Sequence, residues 1–504
     1  MSLAVVHSRA AVGIDAPPVA VEVHLAPGLP ALSIVGLPET AVREARDRVR
    51  SAILNSGYSF PAGRVTVNLA PADLPKGGGR FDLAIAAGIL AASAQLHAEL
   101  ERFELVGELA LGGALRDVGA ALPAALAARE ADRDLLLAPR DAGEAALVHP
   151  GGAYPAATLL EACDHLAAGS LEPAAPPDGG AIHAVGGGDL ADVRGQWPAR
   201  RALEVAAAGR LHLLLMGPPG TGKSMLAMRL PGLLPPLDDA AALEAAAVRS
   251  VSGEGLDPAV WRMPPFRAPH HAVSAPALIG GGGAPRPGEV SLAHHGVLFL
   301  DELPELPRNA REALREPLER RRVTVARAGG HVTFPASFQL VAAMNPCPCG
   351  FLGDPTRPCR CTPDQVARYR GRLSGPLLDR FDLAVEVPRL TAAELAAATP
   401  GEPTAAARPR VAAARRRRIE RSGSVSGELD GELLRAACPL DAAATALLEE
   451  ATDRLGLSPR GHTRLLRVAR TLADLAASEQ ITAGHVAEAI TLRRPLAMEA
   501  VEGL

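Results

Sequence analysis

Apolar and polar residues alternate through VAVEVHLA (19–26), ALSIVGL (31–37), RVTVNLA (64–70) and FELVGELAL (103–111), the period-two pattern of strands with one buried face. Between them, ETAVREARDRVRSAILNS (39–56) and FDLAIAAGILAASA (81–94) space their apolar residues as helices do. Residues 1–168 therefore predict one mixed α/β domain. The next stretch, GSLEPAAPPDGGAIHAVGG (169–187), is rich in Gly and Pro without an apolar period and reads as a linker. A second α/β pattern occupies 188–390, and 391–504 is helical by spacing, as in TALLEEATDRL and GHTRLLRVARTLADLAAS. No repeat of solenoid period is present.

Composition narrows the class. A chain of 504 residues exceeds one ordinary core, so an α/β multidomain fold is expected. The 52 basic and 56 acidic residues nearly cancel, so any nucleic-acid surface has to be local. The start shows no basic region followed by a long apolar stretch, and the longest apolar runs are too short for a bilayer; a cytoplasmic protein without a membrane partner is the expectation. Lysine occurs twice, at Lys76 and Lys223, in a chain that otherwise uses arginine, so each retained lysine is informative.

The most specific chemistry lies at 211–230, LHLLLMGPPGTGKSMLAMRL. An apolar strand runs into Gly217, Pro218, Pro219, Gly220, Thr221, Gly222, Lys223 and Ser224, then into a helix. Glycines let backbone N–H groups curl around a phosphate chain, Lys223 reaches the β and γ phosphates, and Ser224 ligates Mg²⁺; ATP with Mg²⁺ is the implied substrate pair. GVLFLDE (296–302) delivers the two acids that hydrolysis needs, Asp301 for the Mg²⁺ shell and Glu302 for the attacking water. FQLVAAMN ends on Asn345, an amide placed to orient that water and sense the γ phosphate. Downstream, Arg380 in GPLLDRFDL and Arg460 in LSPRGHTRLLR offer guanidinium groups to a transferring phosphoryl.

Four of the six cysteines crowd into NPCPCGFLGDPTRPCRC (345–361) as two C-x-C pairs, Cys347 with Cys349 and Cys359 with Cys361. A structural Zn²⁺ site, a disulfide and a redox centre all fit four clustered sulfurs; the spacing and a reducing compartment favour zinc. Cys163 and Cys438 stand alone and read as packed thiols. The pairs His270-His271 and His294-His295 have no cysteine nearby and read as loop packing or DNA contact rather than metal ligands. RRVTVARAGGHVTFP (321–335) is a β-hairpin signal made basic by Arg321, Arg322, Arg327 and His331. RRRR at 415–418 is a second, weaker candidate for DNA contact, since charge runs are mostly solvated faces.

Taken in order, GPPGTGKS, GVLFLDE, AAMNP, LLDRFD and SPRG resemble an AAA+ ATPase of the magnesium-chelatase and MCM-like branch. More closely, DVRGQ, FRAPHHAVSAPALIGGG, PRPGEVSLAHHGVLFLDELPE and VAAMNPCPCG resemble the bacterial ComM family, also called YifB, over essentially the whole chain. That resemblance implies a homo-oligomeric, hexameric ring that moves single-stranded or branched DNA, with branch migration of recombination intermediates in natural transformation as its role. It implies an AAA+ P-loop core carrying Arg380 as a finger across the subunit interface, with Arg370 and Arg372 as rivals, and a C-terminal helical lid carrying Arg460 as a sensor. It also implies that the hairpin at 321–335 faces the ring's pore, where it would bind phosphates without reading sequence. The first domain resembles that of Lon-type proteases, but Arg80 in LPKGGGRFD stands where the serine would be and Leu122 in GGALRDVGAAL where the lysine would be. Nucleophilic catalysis needs both groups, so this domain reads as protease-inactive. Lys76, beside Arg80, reads as a DNA or domain-docking contact or a plain surface charge. The rival reading is a chelatase-like remodelling ATPase acting on protein partners or metal insertion.

Overall fold

The computed structural model describes residues 2–36, 40–74, 76–176, 188–257, 260–282, 285–327, 330–397, 399–423 and 431–493. Most of the stretch read as a linker, 177–187, lies outside the described residues. Strands β1 (Ser2–Arg9), β2 (Pro18–Ala26), β3 (Ala31–Val35), β4 (Arg64–Ala70), β5 (Phe103–Leu105), β6 (Asp134–Leu137) and β7 (Ala153–Pro155) form one sheet, in the order β3-β4-β2-β1-β5-β6-β7. The β1–β2 and β2–β4 pairs are antiparallel and the others parallel. Alternation in the sequence produces this sheet's core face. Val19, Val21 and Val23 of β2 and Val65, Val67 and Leu69 of β4 are fully buried, with Val21 opposite Leu69 and Val23 opposite Val67. Helix Asp82–Ala92, apolar nearly all round, packs on β1 and β2. Gly88 permits its close approach, since a Cβ there would lie 2.6 Å from Val23 Cγ2.

FELVGELAL is not one strand. β5 ends at Leu105: Val106 N–H makes its last ladder bond, to Leu136 O on β6, and Gly107 N–H then turns away to Arg80 O; Glu108–Leu109 pairs with Leu115–Arg116 as a separate ribbon.

The second sheet is wholly parallel: β8 (Leu213–Met216), β9 (Phe266–Arg267), β10 (Val297–Leu300), β13 (Gln339–Met344) and β14 (Leu383–Glu386), in the order β9-β10-β13-β8-β14. Its inner strands are buried along their whole length, which explains why LLLM, VLFL and QLVAAM read as continuous apolar runs. Between β10 and β13 the chain forms the two-stranded hairpin β11 (Arg322–Arg327) and β12 (Gly330–Pro335), in register from Arg322 opposite Pro335 to Arg327 opposite Gly330. Its turn, 328–329, and the side chain of Arg327 lie outside the described residues.

Helices Thr404–Ser422, Gly431–Ala437, Ala442–Arg454, Pro459–Leu475 and Ala483–Thr491 follow the second sheet. They share one buried cluster with it: Leu213 and Val385 from the strands, Leu465 and Leu472 from the helices, and Leu203 from helix Trp197–Gly209. The RRRR run belongs to this packing. Arg415 donates to Ala207 O at 2.8 Å and Arg418 to Gly209 O, so two cations meet the carbonyl end of helix Trp197–Gly209, where the backbone dipole favours positive charge. Arg417 donates to Asp474 O at 2.8 Å, while Arg416 is exposed.

The two sheets are joined by helix Asp239–Ser252, whose alanine-rich sequence carries no sharp apolar stripe. Its Ala246 and Ala247 enter a buried cluster with Leu122, Ala125 and Ala128 of the first domain. Around that cluster, Ser250 Oγ donates to Glu144 Oε2 at 3.0 Å, Leu256 N–H to Glu144 Oε1 at 3.0 Å, and Ala120 N–H to Ser250 O at 3.0 Å. Ile14, at the turn after β1, packs into the cluster that holds Val323, Val325 and Phe334 of the hairpin. Among the described residues, no helix is long and apolar enough to cross a membrane.

Candidate nucleotide site and cysteine cluster

Phosphate loop, acids and amide all follow the C-terminal ends of neighbouring strands: 217–224 after β8, Asp301 and Glu302 after β10, Asn345 after β13. The β13 strand lies between the other two, which places the amide between lysine and acids. Gly220 and Gly222 adopt φ of +77° and +93°, the left-handed turns a side chain resists, and Thr221 Oγ1 donates to Pro218 O at 3.0 Å. Lys223 opens the following helix. Its Nζ donates to Gly217 O at 2.7 Å, Pro218 O at 2.8 Å and Asn345 Oδ1 at 3.1 Å. Burial lowers its pKa to about 8, with Asp301 and Glu302 acting in the opposite sense. Ser224 Oγ donates to Asp301 Oδ2 at 2.6 Å, two oxygens that suit a hard cation such as Mg²⁺. These groups line a cleft of about 370 Å³ with Glu302, whose own backbone is left-handed at φ +49°. His271 Nδ1 stands 3.6 Å from Glu302 Oε2, a neighbour that sequence reading did not connect with the acid.

Arg380 and Arg460 lie elsewhere, and together. Both line a second cleft of about 440 Å³ with Glu319, Arg464 and Arg467. This cleft opens at the N-terminal ends of β8 and β14, where Asp382 accepts from His212 N–H at 2.8 Å and from Arg464 Nη1 at 2.7 Å. Buried strands of four residues, roughly 13 Å of extended chain, therefore separate Arg380 from the phosphate loop of its own chain. Arg380 pairs with Glu319, on helix Arg315–Arg320, immediately before the hairpin; Arg460, at the start of helix Pro459–Leu475, is exposed. The rival arginines sit toward the nucleotide side: Arg370 Nε donates to Pro346 O at 3.3 Å, and Arg372 pairs with Glu305 at 2.7 Å.

All four clustered cysteines come together, with ligand atoms within 4.8 Å of one another. Sulfur separations of 3.4 Å (Cys347–Cys349), 3.7 Å (Cys347–Cys359) and 3.6 Å (Cys349–Cys359) are too long for a disulfide. They approach the edge of a tetrahedron around Zn²⁺, roughly 3.8 Å for a metal–sulfur bond of about 2.3 Å. Donor set and geometry thus fit a closed thiolate site. In the second cluster, Glu244 with His294 and His295, the ligand atoms also lie within 4.8 Å of one another, and hydrogen bonds between them occupy the facing atoms. Ser337 N–H donates to His294 Nδ1 at 3.0 Å, and His294 Nε2 faces Glu244 Oε2 at 3.1 Å; His295 Nε2 meets the same oxygen at 2.7 Å. The cluster ties helix Asp239–Ser252 to the start of β10.

Family comparisons cover nearly the whole chain. The family described as magnesium chelatase, subunit ChlI, matches residues 189–395, a second ChlI family matches 21–142, and the ChlI C-terminal family matches 401–493. The chain is 50% identical over 500 residues to the competence protein ComM of Haemophilus influenzae, covering 98% of both chains. It is also 50% identical over 497 residues to the uncharacterised protein YifB of Salmonella typhimurium, covering 98% of this chain and 97% of the relative. The chain belongs to the ComM/YifB family of magnesium-chelatase-like proteins. A shorter similarity, 29% over 175 residues, covers 35% of this chain and 20% of the DNA replication licensing factor mcm7 of Xenopus tropicalis. The parallel sheet and phosphate loop of this ComM/YifB chain accord with the AAA+ class to which these matches point.

Other residues singled out in this ComM/YifB sequence occupy more varied places. Arg322 and His331 are exposed on the hairpin, while Arg321 is half-buried at its root in a left-handed conformation, φ +55°. Lys76 is fully buried, its Nζ donating to Leu74 O at 3.3 Å and to Pro71 O, so it presents no charge to solvent. Arg80 is buried too, and burial lowers its pKa to about 10; Leu122 is fully buried in the cluster shared with helix Asp239–Ser252.

Proposed function

We propose that the chain is a ring-forming ATPase that couples Mg-ATP hydrolysis to movement of single-stranded or branched DNA. One observation carries this reading: a complete phosphate-binding edge and an arginine cleft stand at opposite ends of the same parallel sheet. In a head-to-tail ring the cleft of one chain faces the phosphate loop of the next. Lys223 and the loop N–H groups hold the phosphates, Glu302 orients the attacking water, Asn345 positions it, and Arg380 with Arg460 meets the neighbour's γ phosphate. Mg²⁺, when bound, neutralises charge on the β and γ phosphates, and Ser224 with Asp301 would hold it. The hairpin with Arg321, Arg322, Arg327 and His331 would contact DNA phosphates in a six-membered ring's pore.

The first domain, in this reading, is Lon-like and catalytically inactive, with Arg80 and Leu122 in place of a serine and a lysine, and the C-terminal helices form the lid. Cys347, Cys349, Cys359 and Cys361 would hold one Zn²⁺ ion as a structural centre, since four thiolates would leave no position for water. Similarity to a competence protein supports a role in recombination of incoming DNA. The test is ATP hydrolysis and strand displacement with single-stranded, duplex and branched DNA, with Lys223→Ala as the inactive control. Branched or single-stranded DNA raises turnover of the wild-type chain; indifference to every DNA overturns the reading. The matches to a chelatase subunit favour a second one, remodelling of a protein partner, which predicts stimulation by that partner alone.

A further inference from the structure

The cysteine loop and the phosphate loop touch at two independent points. At the first, Gly350 lies against Pro219: φ there is +83°, and a Cβ would come within 2.6 Å of Pro219 Cδ. The second is a relay of hydrogen bonds. Asp354, whose side chain is shielded from solvent, accepts through Oδ1 from Thr356 N–H at 2.8 Å, Thr356 Oγ1 at 2.7 Å and Arg357 N–H at 3.1 Å. Those bonds fix the turn between the two C-x-C pairs. Through Oδ2 it accepts from Arg389 Nε at 2.8 Å, and Arg389 Nη2 donates to Pro219 O at 3.2 Å. The same loop begins two residues after Asn345, which accepts from Lys223.

Pro219 lies within the phosphate loop, and the plane of its peptide sets where the next N–H points. A loop that cradles phosphate binds well only if those N–H groups are held in place beforehand, because ordering them on binding costs affinity. A chain segment of 15 residues, 347–361, has no regular element of its own and would not hold Asp354 and Gly350 in place without a cross-link. We propose that the four-cysteine cluster, closed by one zinc ion, is a strut that fixes the phosphate loop through Gly350 and the Asp354–Arg389–Pro219 relay, so that zinc occupancy sets nucleotide affinity. Arg389 is a positioning residue in this scheme. The inference rests on the zinc reading given above, and the two separate experimentally.

The experiment measures zinc content by elemental analysis and affinity for a fluorescent, non-hydrolysable ATP analogue with Mg²⁺, for chain purified without chelator. Three proteins are compared: wild type, Arg389→Ala, and a Cys359→Ser/Cys361→Ser double variant. Wild type carries one zinc per chain. Arg389→Ala keeps that zinc yet binds the analogue about tenfold more weakly, the order expected for losing a charge-assisted bond that organises the loop. The cysteine variant loses zinc and weakens at least as much. Wild type without zinc overturns the zinc reading. Zinc-replete Arg389→Ala, or zinc-free cysteine variant, with wild-type affinity overturns the strut while leaving the zinc reading standing. Arg389→Ala spares every sulfur, so its result stands even if the cysteine variant fails to fold.

Discussion

Arg380→Ala tests the assignment of the two sheet edges most directly. Strands of four residues hold Arg380 roughly 13 Å from the phosphate loop of its own chain, beyond the reach of an arginine side chain anchored at the other edge. Its removal therefore leaves nucleotide binding intact and slows hydrolysis by about a thousandfold or more, the usual worth of an arginine finger. Mixing supplies the decisive arm. A Lys223→Ala chain has no working phosphate site but an intact finger; an Arg380→Ala chain has the reverse. When equal amounts assemble at random, a working interface needs the second chain's site next to the first chain's finger, which arises at about one interface in four. Two nearly inactive preparations therefore regain about a quarter of wild-type turnover on mixing. Steady-state ATPase across mixing ratios reads this, with a maximum at equal proportions. If the mixture stays as inactive as its components under conditions where labelled subunits exchange, action across the interface is wrong.

Other consequences are equally specific. Because burial lowers Lys223 to about 8, the free chain holds its ammonium below that pH and loses it above; Mg-ATP affinity is full near pH 7 and falls about tenfold by pH 9, so a flat fluorescence titration over that range refutes the assignment. Asp382→Ala strips the carboxylate from buried Arg464 and destabilises the chain by about 3–5 kcal/mol in urea unfolding; a loss below about 1 kcal/mol shows the pair to be solvated. Replacing both Arg327 and His331 by Ala abolishes stimulation of the ATPase by DNA and makes the logarithmic salt dependence of DNA binding shallower by about one for each phosphate no longer neutralised; undiminished stimulation removes the hairpin from the DNA path.

Local chemistry was legible where a motif is contiguous. The phosphate loop, the acids after an apolar run and the hairpin's alternating strands each carry their instruction within a short contiguous stretch. What pattern could not supply was adjacency between distant segments. Nothing near Arg380 announces Glu319 or Arg460 as its neighbours; the order of the parallel strands brings them together. RRRR at 415–418 looks like a basic face because the partners of Arg415 and Arg418 are backbone carbonyls at the end of a helix two hundred residues away. The alanines of helix Asp239–Ser252 have no strong period, since small side chains on every face pack equally well, and so the join between the two sheets was silent in the sequence.

That join has a practical meaning. Where Ala246 and Ala247 complete an interior belonging to the opening third of the polypeptide, cutting the molecule after residue 176 would leave each half with an unfinished, water-shy scar. Any swing of helix Asp239–Ser252 would accordingly drag the amino-terminal body along with it, so what sequence boundaries make look like a detachable appendage is cargo tied to that helix.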